Sequence, residues 1–309
     1  MCSKYTLFTI QSSMHKKKTT LHHSYLANNL MSYIHENIQT DINIDQLATE
    51  YGISKFHLHK IFKEQMGKNI YESIKSIRLQ KASNLLVANP HSSITEVANM
   101  CGYASQTSFI RAFKQRFDQT PKMWRKGAYR KYSNKILKSS HITSMSKADF
   151  SHIKPKIVKT ETKTVYYIRH QGYNRKATHL WQKMMVWVYT NEIEEYEQVA
   201  IYHDNPILTP LEDCHYVACI APKDTSKLSN TSLPTFDMTA SVCAAFEVEG
   251  EYCDIIIFIQ WVYHKWLPNS GFETATIPPY TIFEKNHFLS DDGRFKCTYY
   301  LPVRYAQIL

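Results

Sequence analysis

Between Gly102 and Pro121 runs a stretch, SQTSFIRAFKQRFDQT, whose polar residues point to one kind of chemistry. Phe109, Ala112, Phe113 and Phe117 recur at helical spacing, so one face is expected to be buried. The other face carries Gln106, Thr107, Ser108, Arg111, Lys114 and Gln115. These side chains donate hydrogen bonds and supply positive charge, as a helix lying in a DNA major groove must. Directly upstream, Ile94–Met100 is a short apolar-patterned helix. Helix, glycine turn and helix together make a helix-turn-helix unit.

The pattern occurs twice. Ile44–Tyr51, Gly52 and Ser54–Met66 repeat helix, glycine turn and basic helix about fifty residues earlier. Ser54 and Ser105 open the two second helices. Each can cap its helix and hold a hydroxyl near a phosphate. Ile70–Val87 reads as one long helix joining the units, anchored by Ile70, Ile74, Ile77, Leu85 and Leu86. Its length sets the spacing of the two second helices, which must lie about 34 Å apart to enter successive major grooves.

Charge divides the chain in the same place. Residues 1–155 hold 23 Lys and Arg against 9 Asp and Glu, a balance of +14. Residues 156–309 hold 14 against 18, a balance of −4. A basic half and a mildly acidic half imply that only the first meets a polyanion. The 309 residues suffice for two domains, and the 43% hydrophobic content suffices for real cores. No apolar run reaches membrane-span length, and residues 1–25 lack a signal-peptide apolar core. Seven scattered cysteines without C-x-x-C spacing suit a reducing cytoplasm rather than a disulfide framework or a zinc site. His57 and His59, two apart on a helix, point in different directions, so no metal is expected there.

The paired units resemble the AraC/XylS family of bacterial transcription regulators. The resemblance rests on Ile44–Gly67, Ile77–Leu86 and Val97–Arg125, and it is nearest to the Rob-like branch, which carries its DNA-binding half first. Asp118 stands where many members have Gly and marks that branch. The resemblance places Phe56, His59 and Lys60, and then Gln106, Thr107 and Arg111, toward bases. It places Lys63 and Lys114 toward phosphates. It implies double-stranded DNA and RNA polymerase as partners, read by a monomer or weak dimer.

Residues 1–20 read as a loose leader, His22–Asn37 as a first helix, and 128–155 as a Lys-, Ser- and His-rich linker after a DNA-binding domain at 21–127. The remainder, 156–309, repeats internally. Val165–Ile168, a helix bearing Trp181 and Met184, Val199–Tyr202 and Tyr216–Ile220 form one strand-helix-strand-strand copy. Ser241–Val248, a helix from Ile255 to Trp266, Ile277–Phe283 and Lys296–Val303 form the second. The expected fold is therefore an all-α tandem helix-turn-helix domain followed by an α+β domain. In the latter, two copies share one sheet with helices on one side.

Tyr202–Pro206, Trp266–Phe272 and Tyr300–Val303 resemble segments of the GyrI-like effector-binding domain. The resemblance implies a small-molecule cleft at the seam between copies. The aromatic supply suits one, and the expected lining is Tyr167, Trp181, Phe246, Trp261, Trp266, Tyr280, Thr281 and Phe283. Thr281 stands where that family commonly carries Glu. Its presence implies a neutral ligand rather than a lipophilic cation, unless Glu247 or Glu249 supplies the charge. No catalytic set, cofactor or metal is expected. A protein-interaction module or a small-molecule hydrolase remain the alternatives for this half.

Overall fold

The computed structural model describes residues 3–140, 148–173, 177–226, 228 and 233–306, with side chains from residue 19 onward. The first half is helical: α1 (Ser3–Glu36), α2 (Ile44–Glu50), α3 (Lys55–Met66), α4 (Ile70–Ala88), α5 (Ile94–Met100), α6 (Gln106–Phe117), α7 (Pro121–Met123) and α8 (Tyr129–Ser139). The expected loose leader is instead the start of α1. Neither Gly nor Pro occurs in residues 1–36, so no helix breaker stands within α1. The side chains of Lys16, Lys17 and Lys18 lie outside the described set. Described residues of the expected linker also pack against the rest of the chain. Helix α8 buries Tyr129, Ser133, Ile136 and Leu137, and Phe150 packs edge-on against Phe258 at 5.3 Å.

Helix α4 belongs to two cores. Its first turns place Ile70 and Ile74 with Leu30, Ile34, Leu58 and Phe62 in the core of the first unit. Its later turns place Leu79, Ala82, Leu85 and Leu86 with Val97, Phe109, Phe113 and Trp124 in that of the second. Asn69 and Glu72 close a capping box at its start. Arg78, midway, donates from Nε to the Ile38 carbonyl at 3.1 Å and from Nη2 to the Thr40 carbonyl at 2.7 Å. Gly102, in the turn of the second unit, lies against the same place. A Cβ there would sit 2.5 Å from the Ile38 carbonyl oxygen and 2.8 Å from Arg78 Nη2.

Among the described residues, the second half holds α9 (Ala177–Thr190), α10 (Asp254–Trp261) and nine strands: β1 (Lys156–Lys159), β2 (Lys163–Gln171), β3 (Tyr196–Tyr202), β4 (His215–Pro222), β5 (Thr235–Met238), β6 (Val242–Glu251), β7 (Phe272–Thr274), β8 (Tyr280–Lys285) and β9 (Arg294–Tyr305). The sheet runs β1-β6-β9-β8-β3-β4-β2-β5, with β7 pairing β9 to one side. Strands β2, β3 and β4 with α9 are one copy, and β6, β8 and β9 with α10 are the other. The two meet antiparallel where β3 pairs β8, with Ala200 opposite Thr281. Three short strands escaped the sequence reading. Two of them exchange: β1 precedes the first copy but pairs β6 of the second, and β5 precedes the second but pairs β2 of the first.

Strand alternation splits each copy between two faces. Tyr202, Tyr216, Phe246, Phe283 and Tyr299 belong to the core on the α9 and α10 side. Val165, Tyr167, Val199, Ile201 and Tyr280 face the other way. Helix α1 of the first half covers part of that second face, where Asn28 donates to the Tyr167 hydroxyl at 2.8 Å.

The glycine turns give a stability test. Gly102 and Gly271 share a left-handed backbone, φ +72° and +74°, but nothing lies within 4 Å of the Cβ position of Gly271. Gly271→Ala should cost only the left-handed penalty of about 1–2 kcal/mol. Gly102→Ala must also displace the Ile38 backbone, adding roughly 1–3 kcal/mol of overpacking. Denaturant unfolding of the two variants measures the difference, and equal losses would contradict the close approach.

Candidate nucleic-acid interface and effector domain

Each second helix of the paired units is built alike. The Ser54 hydroxyl accepts from His57 N–H at 3.2 Å, and the Ser105 hydroxyl accepts from Ser108 N–H at 3.2 Å. Both serines therefore cap, and both remain exposed. Helix α3 is held by the buried Leu58, Ile61, Phe62 and Met66. Helix α6 is held by Phe109, Phe113 and Phe117, whose rings continue into Trp124, 4.7 Å from Phe117. Asp118 ends α6 with φ +53°, a left-handed conformation that Asp tolerates better than most residues. That explains how it can occupy a position often held by Gly.

The polar faces look outward together. Phe56 is 80% exposed, and Lys60, Lys63, Gln106, Thr107, Arg111 and Lys114 are exposed as well. His59 is half-buried, with its ring 5.5 Å from that of Tyr71. Burial, followed by the Lys55 charge, lowers its pKa, so it faces solvent neutral at pH 7. Gln106 is steadied by Thr95, whose hydroxyl donates to its Oε1 at 3.1 Å. Among the described residues, Lys60, Lys63, Arg111 and Lys114 form no ion pair, unlike Lys55, which pairs Asp45 at 2.8 Å. Four cations without counter-charges on an exposed face suit phosphate and base edges.

The other ends of these helices are tied to the second half, a contact that sequence reading missed. The connection between β3 and β4 touches all three helices of the reading frame. Asp204 takes Lys68, just beyond α3, at 3.1 Å, and also His215 at 2.7 Å. Asn205 N–H donates to Gln80 of α4 at 2.8 Å. The Arg116 guanidinium, at the end of α6, donates to the Leu208 carbonyl at 3.1 Å and the Thr209 hydroxyl at 3.0 Å. Burial pushes the Asp204 carboxyl up, but His215 and Lys68 outweigh it and hold the carboxyl well below its ordinary range. The only sequence signal was the Tyr202–Pro206 motif, which said nothing of what it touches.

The eight residues expected to line the effector cleft do not converge. Tyr167 and Tyr280 lie on the face toward α1. The other six lie on the α9 and α10 side: Trp181 meets Phe283 at 5.9 Å, and Phe246 meets Trp266 at 5.0 Å and Trp261 at 6.4 Å. There the seam is packed. Thr281 is fully buried and donates to the Tyr202 hydroxyl at 3.3 Å, and Trp181 Nε1 donates to the Tyr216 hydroxyl at 2.9 Å. Burial pushes the phenols of Tyr173, Tyr202, Tyr216 and Tyr299 up, keeping them protonated. Tyr173, Tyr202 and Tyr216 were missed as seam residues, although the alternation of Tyr202 and Tyr216 with the opposite face is visible in β3 and β4. Glu247 and Glu249 occupy exposed positions alternating with buried Phe246 and Val248, and Glu247 pairs Lys156 at 2.8 Å. Neither reaches Thr281.

Comparison with known proteins places both halves. The family described as a helix-turn-helix domain matches residues 47–127, and the GyrI-like small molecule binding domain matches residues 153–304. The xylose operon regulatory protein of Escherichia coli (strain K12) is 40% identical over 95 residues, 31% of this chain and 24% of that protein. The chain thus spans about a quarter of that relative's length. The transcriptional regulator Rob of Salmonella typhimurium is 31% identical over 105 residues, 33% of this chain and 35% of Rob. The regulatory protein SoxS of the same organism is 32% identical over 103 residues, 33% of this chain but 95% of SoxS. With nearly the whole of one regulator matched by its paired helix-turn-helix units and a GyrI-like domain following them, the chain belongs to the AraC/XylS family of transcription regulators.

Proposed function

We propose that this chain acts in the cytoplasm as a monomer or weak dimer that seats α3 and α6 in successive major grooves of one DNA face. The observation that carries this reading is the matched pair of exposed, capped helix faces, whose Lys60, Lys63, Arg111 and Lys114 form no ion pair among the described residues. Phe56, His59, Lys60, Gln106, Thr107 and Arg111 meet base edges, while Ser54, Lys63, Ser105 and Lys114 meet phosphates. RNA polymerase is the protein partner that family membership suggests. The C-terminal half senses a small molecule and has no catalytic role. Within it, Trp181, Phe246, Trp261, Trp266, Thr281 and Phe283 form the seam set. Tyr167 and Tyr280, turned to the other face, are not part of it.

Two variants separate the DNA roles. Arg111→Ala should cost about 1–3 kcal/mol at one base position and relax specificity there. Lys63→Ala should weaken all sequences alike and reduce the salt slope by about 1. Binding titrations of the full chain on its operator and on single-base variants, at several salt concentrations, read both effects. Uniform weakening by both variants would remove Arg111 from the base-reading set.

The seam selects against cations. A buried cation without a counter-charge costs several kcal/mol, and aromatic faces return only about 0.5–2 kcal/mol. In tryptophan fluorescence titrations of the full chain, a neutral aromatic compound should bind at least about tenfold tighter than a lipophilic cation of matched size, a gap of 1.4 kcal/mol. Cation binding that survives Thr281→Val and vanishes in Glu247→Gln or Glu249→Gln would overturn this assignment.

A further inference from the structure

A groove separates α1 and the α3–α4 junction from the sheet. One part of it, about 230 Å³, is bounded by Met31, Met66, Lys68, Ile77, Arg169 and His203. A second part, about 320 Å³, shares Met31, His35, Arg169 and His203 with the first and continues along Ile201, Phe236, Met238, Pro278 and Tyr280. Arg169 stands where the two parts meet. It is partly buried, yet no carboxylate pairs with it among the described residues. Its Nη2 donates to Asn28, its Nη1 lies 3.4 Å from His203 Nε2, and its guanidinium lies 4.7 Å over the Tyr167 ring. Its Nε has no partner. His35, only 9% exposed, has no partner on either ring nitrogen and lies 6.2 Å from the His203 ring, nearly parallel to it.

We propose that this groove is a second ligand site, distinct from the seam, and that it takes a small organic anion whose acid group meets Arg169 and whose apolar body lies between α1 and the sheet. A cation drawn from water and given only neutral partners is costly, and a carboxylate beside the Arg169 guanidinium supplies the missing charge. The nearest buried acid, Asp204, is engaged by Lys68 and His215 and does not serve. Glu36, Glu64 and Asp237 sit exposed at the rims. The chemistry of the long wall sets the rest of the ligand: Ile201, Phe236, Met238 and Pro278 offer apolar surface for a chain or ring, and no second cation for a dianion. Because the groove is bounded by Met66, Lys68 and Ile77, an occupant rests against the end of α3 and against α4.

The test uses the full chain, with octanoate and octanol as probes of equal length. Calorimetric titration should show octanoate binding at least tenfold tighter than octanol, and Arg169→Gln should abolish that preference while leaving octanol unchanged. Val186→Ala, on the exposed side of α9, should leave both unchanged. Since Arg169→Gln could unfold the chain, methyl resonances of labelled methionines in the unaltered protein provide the second measurement. Octanoate should shift Met31, Met66 and Met238, which border the groove. Equal affinities for the two probes, shifts confined to Met184 and Met185 on α9, or a preference that persists in folded Arg169→Gln would each overturn the proposal.

Discussion

A single rigid helix sets the geometry of DNA reading. Helix α4 is long enough to contribute Ile70 and Ile74 to one core and Leu79, Leu85 and Leu86 to the next. Neither helix-turn-helix unit can rotate against the other without pulling one set out of its packing. Close-packed cores resist that, since each buried aliphatic side chain contributes about 1.5–3 kcal/mol. Arg78 adds a polar lock on the same axis by holding the Ile38 and Thr40 carbonyls. The exposed faces of α3 and α6 thereby share one frame, and their spacing follows from the length of one element rather than from a flexible hinge.

The second half grips that frame at three points through one short connection. Asp204, Asn205 and the Leu208–Thr209 pair reach the end of α3, the middle of α4 and the end of α6 in turn. The core of the second unit also runs without a break into the α9 and α10 side of the sheet. The effector domain is thus attached to the reading frame itself and not merely tethered through the chain between them. Any rearrangement at the seam or in the groove that shifts this connection acts on all three helices together. A physical link between the two halves then lies in named hydrogen bonds.

What could be read from the sequence, and what could not, follows from the range of each interaction. The paired units were visible because their signals are local: apolar periodicity in Phe109, Phe113 and Phe117, glycine at the turns, serine at the caps. The duplicated strand-helix-strand-strand order was visible for the same reason. Strands β1, β5 and β7, of three or four residues each, were too short for a period to show. The mixed lining of the predicted cleft failed for another reason. Tyr280 and Thr281 are neighbours in sequence and so face opposite sides of a sheet, and an inventory of aromatics ignores that alternation. The contacts of Arg169 with Asn28 and of Lys68 with Asp204 join residues more than a hundred positions apart. No local pattern announces them.

The crossed positions of β1 and β5 carry a consequence for how the two copies hold each other. Each copy is preceded by a short strand that it does not use, and each borders on the strand that precedes the other copy. A single copy produced alone would leave its own outer strand, β2 or β6, with an open edge and its leading strand without a partner, which is the situation that drives two identical chains to exchange segments. The fused pair has the connectivity of a domain-swapped homodimer in which both protomers now lie on one chain. With both halves on one chain the exchange needs no second molecule and the halves need not match, so Thr281 and Arg169 sit on opposite faces of one sheet.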